Sequence, residues 1–105
     1  AVFQPHLYSR TERHAEAMGR ALAAADLAIV TEIYAARERP IAGVSGRRVA
    51  DAVAQSGGTV AFAPERETVP EAVAAAARSG DVVLTLGAGD ITRVGRDLVA
   101  AWRAS

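Results

Sequence analysis

The sequence predicts a single α/β domain over residues 1–105, built on a mostly parallel sheet with helices on both faces. Short apolar runs without polar alternation recur along the chain, as in strands that are buried on both faces. The runs alternate with amphipathic or alanine-rich stretches long enough to form helices. The resulting order, β-α-β-loop-α-β-α-β-α, is typical of a Rossmann-like sheet.

The chain is expected to open inside a strand and to continue into a long helix. Residues 1–3 are the apolar end of a buried strand, because they run straight into the turn-forming pair Gln4-Pro5 without a preceding turn. Ser9 and Glu12 have the spacing of a capping box and predict a helix from there to about residue 25. We therefore expect the start of the first strand to be missing from this sequence.

A second strand is predicted at 27–30, where a continuous apolar run is too short for a helix. Residues 34–46 contain Pro40, Gly43 and clustered charges, and they predict a long loop. Long loops inside compact domains are often functional. A helix at about 47–56 follows, and it is ended by two glycines.

The remaining elements are two strands and two helices. Residues 59–62 form the third predicted strand, and Thr68 with Glu71 makes a second capping box for a helix that ends near 79–80. Residues 81–86 give the strongest strand signal in the sequence. Asp90 is then a plausible N-cap for a last helix at about 91–102.

Composition excludes several classes of function. The twelve basic residues are all arginine, are balanced by twelve acidic residues and form no run, so nucleic acid is not an expected partner. The absence of cysteine excludes disulfides and thiolate metal sites, and it suits a cytoplasmic protein. No segment approaches the roughly 18 apolar residues of a membrane span, so no membrane association is expected.

Ligands of open parallel sheets bind beyond the carboxyl ends of the strands, where loops and helix starts converge. In the segment 4–11, His6, Tyr8 and Arg10 crowd into a short turn before a predicted helix. A helix start carries about half a positive charge and free N–H groups, so with Arg10 it could bind a carboxylate or phosphate. For Ser9 and Thr11 we favour simple capping, and for Arg10 a functional role.

Two further segments at this edge each have both a functional and a purely structural interpretation. The 31–46 segment, with Arg37 and Glu38, is either a recognition loop or a solvated loop with internal ion pairs. The turn Gly87, Ala88, Gly89, Asp90 resembles half of a dinucleotide fingerprint, but Arg93 stands where the third glycine should be. A tight turn with an Asp cap is the better interpretation of that turn from the residues alone.

The chain lacks a self-sufficient catalytic set. It has no lysine for a phosphate-binding loop, and His6 and His14 are too few for a zinc site of usual spacing. Ser9 and Ser45 are not flanked by the glycines of a nucleophile elbow.

Three collinear motifs resemble the C-terminal domain of the UDP-N-acetylmuramate:L-alanine ligases, which belong to the Mur ligase family. They are FQPHLYSRT at 3–11, IYAARERPIAGVSG at 33–46 and GDVVLTLGAGDI at 80–91. Leu7 and the pair Arg37-Glu38 are similar to actinobacterial members. The resemblance implies an ATP-dependent ligase of peptidoglycan synthesis that activates the muramyl carboxylate as an acyl phosphate, which the L-alanine amine attacks.

The resemblance also implies which part each domain plays. ATP and magnesium are expected to bind mainly to a central domain outside this chain, and none is expected to bind here. This domain would help to bind L-alanine and would close the site on UDP-N-acetylmuramate. It is expected to be inactive alone.

Arg10 matches a family arginine that helps to bind the alanine carboxylate. Many relatives have a second arginine where this chain has Leu7, and Arg37 is a possible substitute. The implied substrate-binding set is Arg10, His6, Tyr8, Arg37, Gly87, Ala88, Gly89 and Asp90.

Two rival interpretations share the same fold class. One is an autonomous flavodoxin-like or receiver-like binding module, although a receiver would need an acidic cluster after the first strand and a lysine late in the chain. The other is a protein-interaction domain that docks a partner through the 34–46 loop.

Overall fold

A computed structural model describes residues 1–104, which form strands and helices in the predicted order. These are β1 (Val2–Phe3), α1 (Tyr8–Leu22), β2 (Ala28–Val30), α2 (Arg47–Gln55), β3 (Val60–Phe62), α3 (Val69–Ala76), β4 (Thr85–Leu86) and α4 (Ile91–Ala104). A short 3-10 helix, Arg66–Thr68, leads into α3. None of the helices in this part of the chain combines the length and apolarity that a membrane crossing requires.

The four strands form one parallel sheet in the order β3-β2-β1-β4. Val2 pairs with Ile29 on one side and with Thr85 on the other, so β1 lies in the centre. The chain winds outward from β1 to β2 and β3, and then crosses back to place β4 on the opposite side of β1. Between β1 and β4 the sheet therefore has a topological switch point, where α/β proteins of this type bind ligands.

The core consists of two layers, one on each face of the sheet. Because successive strand residues point to opposite faces, Val2 and Ile29 pack with α3 and α4, whereas Ala28 and Val30 pack with α1 and α2. Each layer is completed by buried aliphatic residues of the helices that cover it. The predicted fold class, a parallel α/β sheet with helices on both faces, is confirmed.

Helices α1 and α2 lie in close contact through Gly19. A Cβ atom added at Gly19 would collide with the Cβ of Ala52 and would lie 2.6 Å from the Ala52 carbonyl carbon. Only glycine fits this crossing, which fixes α1 against α2 and thereby fixes where both helices begin at the carboxyl edge of the sheet.

The last strand is much shorter than predicted. We expected a buried strand over 81–86, but only Thr85–Leu86 pairs with β1, and Val82 and Leu84 are 81% and 56% exposed. As an edge strand, β4 has a neighbour on one side only, and it pairs with that neighbour, β1, at Thr85 and Leu86. Val82 and Leu84 instead line a groove of about 310 Å³ at the amino ends of the strands, beside Ala1 and Leu27.

Both predicted capping boxes are wrong. Ser9 is the second residue of α1, whose N-cap is Leu7, and Thr68 donates its hydroxyl hydrogen bond to the carbonyl of Glu65. Neither helix has a side-chain cap bond from its N-cap residue. Helices α1 and α3 also end about three residues earlier than predicted, at Leu22 and Ala76, and α4 continues to Ala104.

Candidate functional site

The turns after β1 and β4 meet at the switch point through the side chain of Gln4. Its Nε2 donates to Asp90 Oδ1 at 2.7 Å, and its Oε1 accepts from the backbone N–H of Ile91 at 3.3 Å. Gln4 is only 5% exposed, so its bond to Ile91 is shielded from water and its bond to Asp90 is partly shielded. This role of Gln4 was not predicted from the sequence, although a polar residue directly after a buried strand was the available signal.

Asp90 does not cap α4 as predicted. Its carboxylate accepts from Gln4 and lies 3.5 Å from an Arg66 guanidinium nitrogen, while Gln4 occupies the first N–H of the helix. Asp90 thus belongs to a short network that ties the β4–α4 turn to β1 and to the segment before α3.

A third segment joins this edge through Tyr34. His6 and Tyr34 form an isolated parallel bridge and their rings stack, with centroids 6.0 Å apart and planes 16° apart. A Cβ at Gly89 would lie 2.6 Å from Tyr34 Cδ2 and 2.8 Å from Gln4 Oε1, so glycine is needed for this approach. The three segments of the sequence motifs therefore come together around Gln4 and Tyr34.

His6 has one ring nitrogen that no group satisfies. Its Nδ1 is buried and makes no hydrogen bond with any atom of residues 1–104. The ring is held by the stack on Tyr34 and by the backbone, because Leu7 N donates to Tyr34 O at 3.0 Å and Tyr34 N donates to Pro5 O at 2.8 Å.

The start of α1 is already bound by a carboxylate from within the chain. Glu38 accepts from the Ser9 backbone N–H at 3.0 Å and from the Ser9 hydroxyl at 2.5 Å. The Ser9 hydroxyl, above all, lowers the pKa of Glu38, with further help from backbone N–H groups of Ser9 and Tyr8. The prediction that this helix start offers free N–H groups is therefore wrong for Ser9, and so is the prediction that Ser9 simply caps the helix.

The backbone bends sharply on both sides of this contact. Leu7 has φ 67° and ψ 138°, and Ala36 and Arg37 have φ values of 48° and 73°. Positive φ is unfavourable for residues other than glycine, and such residues often occur at functional sites. The β1–α1 turn and the tip of the long loop thus both store backbone strain.

The two arginines that were singled out are exposed and lie at this edge. Arg10 stands in the first turn of α1, and Arg37 lies next to Glu38 in the loop. Neither makes a hydrogen bond or ion pair with residues 1–104, unlike Arg66, which lies near Asp90, and Arg47, which lies 4.7 Å over the Phe62 ring.

The other predicted site residues fall into two groups. Gly89 and Asp90 pack against Gln4 and Tyr34, as described, and a Cβ at Gly87 would also approach the Gln4 side chain, at 3.2 Å. Tyr8 is partly buried as the first residue of α1, and Ala88 is exposed in the β4–α4 turn.

The long loop is closed at its base by Glu32, another residue whose role sequence analysis missed. One oxygen of its carboxylate accepts from the N–H groups of Ile33 at 2.9 Å and Gly46 at 2.6 Å. Gly46 lies against the carbonyl oxygen of Thr31, where a Cβ would not fit. Glu32 thereby joins the two ends of the loop that carries Tyr34, Arg37 and Glu38.

Comparisons with known proteins identify the family. The family model described as "Mur ligase, glutamate ligase domain" matches residues 1–89. The chain is 52% identical over 103 residues to the UDP-N-acetylmuramate--L-alanine ligase of Mycobacterium sp. (strain JLS). The aligned region covers 98% of this chain and 21% of that protein. It is 54% identical over 99 residues to the ligase of the same name from Cutibacterium acnes, covering 94% of this chain and 21% of the relative.

A third relative of that name, from Mycolicibacterium smegmatis, is 50% identical over 102 residues, 97% of this chain and 20% of its own length. The chain therefore spans about a fifth of the curated relatives that it matches. The resemblance seen in the three motifs, including its actinobacterial character, is confirmed. Because the family model covers residues 1–89 of 105, the chain belongs to the Mur ligase family, in its glutamate ligase domain.

Proposed function

We propose that this chain is the amino-acid-binding domain of a cytoplasmic, ATP-dependent UDP-N-acetylmuramate:L-alanine ligase of peptidoglycan synthesis. Family membership and the names of relatives that are about half identical support the reaction. In this proposal the domain helps to bind L-alanine and closes over a site that it shares with the rest of a longer protein.

The observation that carries the proposal is the convergence of the three motif segments at the switch point. Gln4 joins the β1 and β4 turns through its 2.7 Å bond to Asp90, and Tyr34 of the long loop packs on both His6 and Gly89. Open parallel sheets bind their ligands at this position. Residues that are distant in sequence would thus contribute to one site.

Arg10 is the residue to which we assign the alanine carboxylate. Its guanidinium is exposed, stands at the positive end of a helix and has no partner among residues 1–104. Arginine binds carboxylates through charge-assisted and often paired hydrogen bonds. Leu7 supplies no charge, so Arg37 is the candidate for a second cationic contact.

In the reaction this chain would position the amino acid and would not activate the other substrate. Holding the carboxylate at Arg10 fixes the direction in which the alanine amine points, and such orientation lowers the barrier of a bimolecular step. Residues 1–104 contain no group of three His, Asp or Glu side chains that could hold a metal ion, and the chain has no lysine. We therefore assign magnesium and ATP to another part of the longer ligase.

The test is a pair of substitutions at Arg10 in the full-length ligase that carries this domain. Losing a hydrogen-bonded charge costs about 1.5–3 kcal/mol, so Arg10→Ala should raise the KM for L-alanine roughly 10- to 100-fold. The KM for UDP-N-acetylmuramate should change little, and Arg10→Lys should fall between, because lysine keeps the charge but loses the planar fork.

Arg20→Ala is the matched control, since Arg20 is an exposed arginine in the last turn of the same helix. It should leave the KM for L-alanine unchanged. An unchanged alanine KM in Arg10→Ala would reject the role of Arg10.

Inactivity of the isolated chain is a separate part of the proposal. The purified 105-residue protein, given ATP, magnesium and both substrates, should release no phosphate above the rate without enzyme. Release that follows this protein through successive purification steps would contradict a shared active site.

A further inference from the structure

The Glu38 carboxylate occupies the position where a substrate carboxylate would be expected. It accepts from the Ser9 N–H and the Ser9 hydroxyl, at the start of α1 and one residue before Arg10. A helix start attracts anions of either origin, whether the anion is a free ligand or a tethered side chain.

We propose that Glu38 is an internal competitor for the amino acid's carboxylate, and that the loop carrying it must release α1 before L-alanine binds. This inference rests on the proposed function, because it takes the start of α1 as the carboxylate position. It assigns to Glu38 the setting of the ligase's affinity for its amino acid.

The contact between Glu38 and Ser9 lies where a ligand carboxylate could replace the Glu38 side chain. Ser9 is exposed, and both of its bonds to Glu38 lie at the protein surface, so water and ligands can reach them. Ala36 and Arg37, just before Glu38, hold left-handed backbone conformations, with φ values of 48° and 73°. Opening the loop relieves that strain, which offsets part of the lost hydrogen bonding.

The loop can open at its tip without unfolding at its base. Glu32 binds the N–H groups of Ile33 and Gly46, and the backbone of Tyr34 is bonded to Pro5 and Leu7. These bonds hold both ends of the loop when Glu38 leaves Ser9. The part that moves is therefore the tip around Glu38, because Arg48 Nε donates to the Gly43 carbonyl and Val44 is buried further along the loop.

An incoming amino-acid carboxylate would find the same donors and one additional cation on α1 itself. It carries the same two oxygens as the Glu38 side chain, and the exposed Arg10, which does not move with the loop, has no partner among residues 1–104. Since only the open state can bind, the apparent affinity is reduced by the fraction of molecules in that state. Removing the competitor should raise the apparent affinity.

The test measures the KM for L-alanine in full-length ligase carrying Glu38→Gln or Glu38→Ala. We expect both variants to lower it, by roughly 3- to 10-fold, with the KM for UDP-N-acetylmuramate unchanged. Glu16→Gln is the control, because Glu16 is an exposed glutamate on α1 with no bond to the loop. If Glu38 served only to stabilise the helix start, its loss would leave the alanine KM unchanged or raise it, and either result would overturn the proposal.

A second measurement detects carboxylate binding at Ser9 directly and does not depend on catalytic turnover. Acetate, as a simple carboxylate probe, should shift the Ser9 amide resonance of the 105-residue chain more strongly in Glu38→Gln than in the unsubstituted protein. Equal or absent shifts overturn the competitor role. The proposed function is tested separately, because it fails if Arg10→Ala leaves the KM for L-alanine unchanged. If Arg10→Ala and Glu38→Gln both raise the KM for L-alanine, only the role of Glu38 as a competitor is rejected.

Discussion

Replacing each of two mid-helix glycines with alanine tests the packing of the fold directly. Gly19 lies inside α1 and is buried against α2, where an added Cβ would lie 2.6 Å from the Ala52 carbonyl carbon and 2.7 Å from the Val53 nitrogen. Gly95 lies inside α4, where an added Cβ would meet Thr85 at 3.5 Å, an ordinary contact. The two sites share the local chemistry of the substitution and differ in the space available.

The expected magnitudes follow from that difference. Alanine is favoured over glycine inside a helix by about 0.5–1 kcal/mol, so Gly95→Ala should stabilise the protein by about that amount. At Gly19 the added methyl meets backbone atoms, which cannot rotate away as a flexible side chain would. Overpacking of this kind costs about 1–3 kcal/mol, so the free energy of unfolding of Gly19→Ala should be lower than that of Gly95→Ala by about this amount.

Urea unfolding of the 105-residue chain, followed by circular dichroism, measures both free energies of unfolding under the same conditions. In thermal melts, each 1 kcal/mol should correspond to a shift of about 4–8 °C for a domain of this size. If Gly19→Ala proved as stable as Gly95→Ala, the close contact between α1 and α2 would not exist as described. Gly19 would then not fix the position of α1 against α2.

Three further predictions concern single residues near the carboxyl edge. Ile91 is fully buried, so Ile91→Ala should destabilise the chain by about 2–5 kcal/mol and Ile91→Val by about 0.5–1.5 kcal/mol. If urea unfolding showed the same loss of unfolding free energy for both variants, Ile91 would not be part of the core. Leu7 has φ 67°, so Leu7→Gly should be neutral or stabilising by up to about 1 kcal/mol despite the smaller side chain, and a clear loss of stability would show that the turn is unstrained. Because the pKa of Glu38 is lowered in the folded chain, its carboxylate contributes stability at neutral pH and loses that contribution as the pH falls through the lowered pKa. The difference in the free energy of unfolding between the unsubstituted chain and Glu38→Gln should therefore vanish in acid. A difference that persists there would show that ionisation of Glu38 is not its cause.

The sequence predicted the fold well wherever hydrophobicity alone decides the structure. Residues 28–30 and 60–62 are strands because their apolar runs can be buried on both faces, and α1, α2 and α4 lie within or around their predicted spans. The length of β4 was not predictable from its own residues. The run at 81–86 is as apolar as a central strand, but it lies at the edge of the sheet and pairs only at Thr85 and Leu86.

The predictions of the helix starts were wrong for a different physical reason. Ser9 and Glu12 have the local spacing of a capping box, but the Ser9 hydroxyl donates to Glu38, 29 residues away. Gln4 likewise bonds to Asp90 across 86 residues of sequence. Local patterns cannot rank such contacts, because the competing partner comes into reach only after the sheet has formed.

Apart from the buried His6 Nδ1, which has no hydrogen-bond partner among residues 1–104, the polar side chains discussed below fall into two kinds. The partly shielded ones, Gln4, Asp90 and Glu32, are satisfied by other groups of the chain and serve to hold the turns and the loop together. Arg10 and Arg37 are exposed and have no such partner among residues 1–104. A buried polar group without a partner would cost stability, whereas an exposed arginine costs little and remains available. The three motif segments therefore supply a frame through Gln4, Asp90 and Glu32 and leave Arg10 and Arg37 exposed, which suits the carboxylate-binding role that we propose for these arginines.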